Sequence, residues 1–297
     1  MAPRHFALLV LMCLVWAINN LVSKHVISGM DVPPLFYAAA RFAILTVVLI
    51  PFLAPAPRPI SRLVITALLM GGGNFGLMFV GLQTSTPSSV AVVFQLGLPM
   101  TTLLSVLMLG ERITPWRGLG IALSFAGVLM VIWDPAGLTV STGLLLVALA
   151  TFMSSLGAVM TKQIEGLRPL TFQAWVGLSS LFPLAALSAW LEPGQIDLAL
   201  AAGWPFVAAL LFSAFIVSLG AHTSYVMLLQ KYEANLIAAL TLMTPLMTIG
   251  LGVALLGDPF GPRMALGAAV AMTGVLIVAL RRNQVLALLM AVRNRVR

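Results

Sequence analysis

The chain has 297 residues, of which 61% are hydrophobic and only 8% charged, with a formal net charge of +8. A soluble domain carries about 25% charged residues, so this chain cannot solvate a globular surface, and its apolar content excludes disorder. Neither heptad nor Gly-X-Y periodicity is present, which excludes coiled coil and collagen and leaves an all-α polytopic membrane protein.

A hydrocarbon core about 30 Å thick needs roughly 20 apolar residues per crossing. Breaks at Pro, Gly and charge clusters give ten predicted spans: 6–28, 34–53, 61–82, 87–109, 115–133, 141–162, 170–191, 204–228, 235–257 and 262–281. They are too long and too uniformly apolar for barrel strands. The first follows Met1–His5 as a signal peptide would. Its apolar run continues to about Ile27 without a small-x-small cleavage site, so it reads as a retained helix. It holds Cys13, the single cysteine, so an intrachain disulfide is excluded.

A charge at a helix centre costs roughly 2.5–3.5 kcal/mol on insertion scales, so polar groups inside the spans are functional candidates. In the first span Trp16, Asn19, Asn20 and Ser23 recur at i, i+3, i+4 and i+7, on one helix face. The stripe reads as an amide-glued helix contact or as a cavity wall, and a tryptophan sharing it with two amides favours the wall. Lys24, one turn past Asn20, either snorkels to the interface or contributes charge to the pathway. Arg41 lies about two turns into the second span. Its bland role is to bond backbone carbonyls or reach the headgroups.

Asn74 stands in Gly71-Gly72-Gly73-Asn74-Phe75-Gly76 of the third span, where the glycines allow close helix approach or local unwinding. Gln95 in the fourth is open to both structural and substrate roles. The sixth span carries Thr151, Ser154, Ser155 and Ala158 on one face and ends at Lys162. The eighth carries the stripe Ser218, His222 and Tyr225, and the ninth Thr241, Thr244 and Thr248. A lone Ser or Thr in a span more often bonds its own i−4 carbonyl.

Charge sidedness supports the parse. The N-terminus, the even-numbered connections and the C-terminal tail hold 13 of the 16 Lys and Arg, whereas the other side holds only Lys24 and Arg263. The positive-inside rule then predicts both termini in the cytoplasm, with the chain in the plasma (inner) membrane. The tail 282–297 alternates apolar residues with arginines and is either an amphipathic surface helix or a topology anchor. Trp133, Trp190 and Trp204 fall at the outer interface, while Trp16 falls near mid-membrane, outside that pattern.

The two halves repeat. Gly110-Glu111-Arg112 and the later Gly127-Val128-Leu129-Met130-Val131 are echoed 147 residues on by Gly257-Asp258-Pro259 and Gly274-Val275-Leu276-Ile277-Val278. Leu82-Gln83 before Pro99 is echoed by Leu229-Gln230 before Pro245. The predicted units are 1–135 and 136–281, followed by the tail 282–297. Five spans per copy would force the copies into opposite orientations, a construction that puts a transporter's substrate site near the midplane.

Trp16-Ala-Ile-Asn19-Asn20 through Lys24, Pro33-Pro34 with Arg41-Phe42, and the Leu-Gly-Glu turn at 109–111 resemble an EamA-type repeat. The chain resembles the drug/metabolite transporter superfamily over nearly its whole length. Leu229-Gln-Lys-Tyr232-Glu233 leading to Pro245 is similar to that family's exporters of cysteine and O-acetylserine. The resemblance implies ten helices around a central cavity and export of amino acids or related metabolites.

All eight acidic residues lie in or beside connections. A pump for lipophilic cations, as in the small multidrug resistance branch, needs a buried carboxylate, whereas the cations and neutral donors here suit a carboxylate or zwitterion. His222 is the one mid-span group that ordinarily titrates near neutral pH, so proton coupling would use it, an interfacial acid or the substrate itself.

The expectation is a secondary transporter exporting small amino acids or related metabolites by alternating access, with lipid as its surroundings and protons as a candidate coupling ion. Trp16 and Tyr225 are expected as walls, Asn19, Asn20, Asn74 and Gln95 as hydrogen-bond partners, and His222 as proton carrier. Ser154, Ser155, Thr241 and Thr244 complete the candidate site, with Lys24, Arg41 and Lys162 as candidate charges. The site is expected between helices one, three, four, six, eight and nine, without cofactor, metal or nucleic acid. No catalytic motif such as His-Glu-x-x-His or Gly-x-Ser-x-Gly occurs, which argues against an enzyme. The alternatives are a drug or phosphorylated-metabolite transporter of the same fold, or a non-transporting membrane partner.

Overall fold

The computed structural model describes residues 1–110, 112–134, 139–232 and 234–279. The predicted basic tail, Glu111 and Glu233 lie outside the described residues.

Among the described residues ten helices are long and apolar enough to cross a bilayer: α1 Pro3–Ser28, α2 Pro34–Phe52, α3 Ile60–Thr84, α4 Pro87–Leu109, α5 Pro115–Ile132, α6 Thr142–Thr161, α7 Pro169–Leu191, α8 Gln195–Tyr225, α9 Leu236–Leu256 and α10 Pro262–Ala279. Six of the ten begin on a proline, which suits a first helical position because its missing N–H would have no partner there. One start differs from expectation. The eighth span begins at Gln195 rather than 204, because a short helical leg precedes a kink at Gly203 (φ 60°, ψ −146°). Only glycine occupies that backbone region readily, so it forms the hinge. A two-residue antiparallel pair, β1 Trp133–Asp134 with β2 Thr139–Val140, joins α5 to α6.

Six helix pairings are related by a rule, although others, such as α4 on α10, have no comparable counterpart among the described residues. α2 packs on α7, α5 on α10, α1 on α8 and α9, and α6 on α3 and α4. Exchanging each helix for the one five places away leaves this set unchanged. The α5–α10 contact obeys it at residue level. A Cβ added at Gly120 would meet the Gly274 carbonyl at 2.8 Å, and one added at Gly267 the Gly127 carbonyl at 2.9 Å. In lipid, helices associate through such close backbone approach, because apolar side chains gain nothing over acyl chains.

Four helices are interrupted at corresponding places. α3 turns π-helical over Leu69–Gly73, just before Asn74, and α8 over Phe212–Ala221, just before His222. α4 tightens to a 3₁₀ turn at Phe94–Leu96, and α9 breaks between Leu240 and Met243. The last two have a cause in the sequence. Pro99 cannot donate to the Gln95 carbonyl, nor Pro245 to that of Thr241, which instead accepts from the Thr244 N–H at 2.9 Å.

Candidate functional site

The interruptions border a central cavity with two adjoining lobes of about 290 and 200 Å³. Arg41, Asn74, Phe75 and His222 line both. The combined space is that of a small metabolite, at the low end for ligand pockets of roughly 300–1,000 Å³.

The larger lobe is walled by Trp16, Asn19, Asn20, Gln95, Thr241 and Thr244, with Met78, Phe94 and Pro245 as apolar surface. This accounts for the mid-membrane tryptophan. Trp133, Trp190 and Trp204 are 51%, 79% and 72% exposed on the bundle exterior, whereas the Trp16 ring turns inward, 5.4 Å from that of His222. Asn19 accepts from Ser213 Oγ (3.1 Å), and Asn20 Nδ2 donates to Thr248 Oγ1 (3.4 Å). One face of α1 therefore both glues helices and walls the cavity.

Arg41 is 1% exposed, and its position differs from the expected carbonyl or headgroup contact. Its Nε and Nη2 donate to Ser218 Oγ of α8 at 3.1 and 2.7 Å, and the guanidinium lies 4.3 Å from the Phe75 ring centroid. Among the described residues neither lobe is lined by Asp or Glu. Ser218 Oγ donates to the Ser213 carbonyl (3.0 Å), and His222 Nδ1–H to that of Val217 (2.9 Å). Both reach five residues back, because π-helical geometry brings the i−5 carbonyl under them. The bond leaves Nε2 as the acceptor nitrogen of a neutral His222.

Four wall residues carry a buried polar atom without a hydrogen-bond partner: Trp16 Nε1, Arg41 Nη1, Asn74 Oδ1 and Thr244 Oγ1. Each such group costs about 1–3 kcal/mol. Ser23, Tyr37, Thr66, Ser85, Trp116 and Thr223 carry such atoms away from the two lobes.

Several sequence candidates stand elsewhere. Tyr225 packs edge-on behind Trp16 at 5.4 Å and supports it rather than lining the cavity. Ser155 donates to the Gly97 carbonyl (3.1 Å), joining α6 to α4, while its neighbour Ser154 faces the smaller lobe. The Thr151 hydroxyl bonds back to Val147 (2.8 Å). Lys162 lies exposed at the end of α6, away from both lobes. Two helices outside the expected set do contribute: α2 through Arg41, and α7 through Phe172 and Gln173. Gln173 was open to discovery as a polar residue inside an apolar span.

Lys24 neither snorkels nor enters the cavity. Its Nζ donates to the Leu82 and Gln83 carbonyls at 2.9 and 3.0 Å, closing the end of α3. On the same face of the bundle, Asp258 Oδ2 accepts from Ser88 N (3.0 Å) and Ser88 Oγ (2.5 Å) at the start of α4. Glu192 accepts from the N–H groups of Leu35 (2.8 Å) and Phe36 (2.9 Å) at the start of α2. These charges complement helix ends, and the Asp258 and Glu192 contacts tie the two halves together on the face opposite the N-terminus. Among the described residues no group of three His, Cys, Asp or Glu side chains is placed to hold a metal ion.

The EamA-like transporter family matches the chain twice, over residues 5–133 and 141–280. The chain is 27% identical to a "Probable amino-acid metabolite efflux pump" of Escherichia coli, over 93% of this chain and 95% of that protein. The protein of the same name from Salmonella typhimurium is also 27% identical, with the same coverage. An "Uncharacterized transporter YvbV" of Bacillus subtilis is 26% identical over 93% of this chain and 91% of its own. A solved structure described only as "Crystal structure of protein" superposes with a TM-score of 0.62 at 19% identity, covering 93% and 96% of the two chains, and carries the fold alone. Two adjoining matches that together span nearly all described residues leave one assignment: the chain is a membrane transporter of the EamA-like transporter family.

Proposed function

We propose that this protein is a secondary transporter that exports small amino acids or related metabolites from the cytoplasm by alternating access, without covalent chemistry. The observation that carries the reading is the convergence of four interrupted helices, α3, α4, α8 and α9, on one cavity lined by neutral polar groups and the single cation Arg41. Broken helices beside a midplane cavity are the usual construction of a secondary-transporter site. The names of the two efflux-pump relatives support the substrate class.

The two halves act as inverted repeats, 1–135 and 136–281, and the reciprocal Gly120–Gly274 and Gly267–Gly127 contacts support that relation. Both termini lie in the cytoplasm, supported by the charge asymmetry of the connections. Closure then alternates between the face tied by Lys24, Glu192 and Asp258 and the face that carries the N-terminus. Protons are the proposed coupling ion, with His222 as carrier.

Counterflow of labelled amino acids into liposomes containing the purified protein tests the reading. Uptake above empty liposomes, reduced at least tenfold by Trp16→Ala, is expected. Uptake equal to empty liposomes for every amino acid tested would refute export of this substrate class.

A further inference from the structure

We propose that Arg41 and Asn74 form the head-group subsite for an α-amino acid with an apolar side chain. The inference rests on the transport reading above and adds to it a substrate charge pattern and the residues that read it.

Arg41 is a buried cation in the middle of a helix, and its partners are a serine hydroxyl and the face of Phe75. Neither satisfies charge. Among the described residues Nη1 has no hydrogen-bond partner, and no carboxylate lines either lobe. An isolated cation at this depth is strongly unfavourable, so the site favours a ligand that brings a negative group to it. Asn74 stands beside it in both lobes, and its Oδ1 accepts from nothing. An acceptor amide and an uncompensated cation on the walls of the same two lobes fit a zwitterion: carboxylate toward the Arg41 guanidinium, ammonium toward the Asn74 amide oxygen.

The rest of the ligand is constrained by what surrounds the pair. Trp16, Phe75, Met78 and Phe94 supply apolar surface in the larger lobe, with the space for one side chain. A dianionic phosphate ester would meet a single arginine and an acceptor oxygen, which suits it poorly.

Binding to the full-length protein in nanodiscs, measured by calorimetry, tests the assignment with L-phenylalanine, L-phenylalaninamide and 3-phenylpropionate. Because hydrogen bonds to charged groups are the strong ones, the wild type should bind the acid about 10- to 100-fold tighter than the amide. Arg41→Gln should lose that preference, and Asn74→Leu the preference of phenylalanine over 3-phenylpropionate. Equal affinity of the wild type for acid and amide overturns the subsite without requiring any variant to fold. Displacement of phenylalanine by inorganic phosphate at matched concentration overturns it too, marking a general anion site. If the amino acids are transported but acid and amide alike, the subsite fails and export stands. If none of the three ligands binds and no amino acid is transported, export itself fails.

Discussion

Arg41 of α2 and Ser218 of α8 are joined by two hydrogen bonds, from Nε at 3.1 Å and from Nη2 at 2.7 Å, across 177 residues of sequence. Ser218 in turn donates to the Ser213 carbonyl at 3.0 Å inside the π-helical stretch of α8. The cation that walls the cavity is therefore oriented by a feature of the other half's interrupted helix. A rearrangement of that stretch would move Arg41 with it.

Ser218→Ala removes the group that aims Arg41. Hydrogen bonds to charged groups are worth about 1.5–3 kcal/mol, so the KM for amino-acid counterflow should rise about tenfold or more. Turnover at saturation should change less, because the hydroxyl is not among the groups proposed to hold the head-group. An unchanged KM would mean that Arg41 keeps its orientation without Ser218.

His222→Gln tests the proposed role of His222 as proton carrier. Gln retains a hydrogen-bonding group toward the Val217 carbonyl but cannot take up a proton. Counterflow with no pH gradient should persist within about threefold of the wild type, a change of under 1 kcal/mol, while stimulation by an imposed gradient should disappear. Gradient stimulation equal to the wild type would remove His222 from the coupling role.

Asp258→Asn tests the proposed closure of the face opposite the N-terminus. Ser88 N–H and O–H both bond Oδ2 of Asp258, and exchanging the charged acceptor for an amide should cost the closed form about 1–3 kcal/mol. In a Cys13→Ser background, a cysteine at Gln95 should then be labelled by a membrane-impermeant maleimide roughly 5- to 100-fold faster from that face. Labelling at the wild-type rate would show that the caps of α4 do not hold this face shut.

Gly127→Ala tests the α5–α10 contact. Its added Cβ would collide with the Ala271 and Gly267 backbones, which cannot move aside as a side chain can. Inserting bulk into a packed contact costs about 1–3 kcal/mol, so a clear fall in apparent Tm is expected by detergent size-exclusion after heating. Gly118→Ala, with nothing within 4 Å of its new Cβ, should match the wild type. Equal stability of both variants would put the contact in doubt.

Hydropathy sufficed for the ten spans because a bilayer is a solvent of fixed thickness that every crossing segment must match. The repeat and the stripe of Trp16, Asn19 and Asn20 were equally legible, each being a property of one helix or of the chain compared with itself, whereas Pro99 and Pro245 stand in the sequence reading only as markers of the repeat and not as the cause of helix breaks. The direction of single side chains was not. Arg41 was readable as a buried charge, but only the packing of α2 against α7 and α8 turns it toward the cavity. Lys24 was readable as a cation near a helix end, yet its partners are carbonyls 58 and 59 residues away. Tyr225 and Ser155 share helix faces with cavity residues but contact neighbouring helices instead. The physical reason is common to all of them. Lipid tails are as apolar as a protein core, so a spanning helix needs no polar side toward its surroundings. Which face meets lipid, neighbour or cavity is then decided by close packing between helices, and that exists only once the bundle has formed.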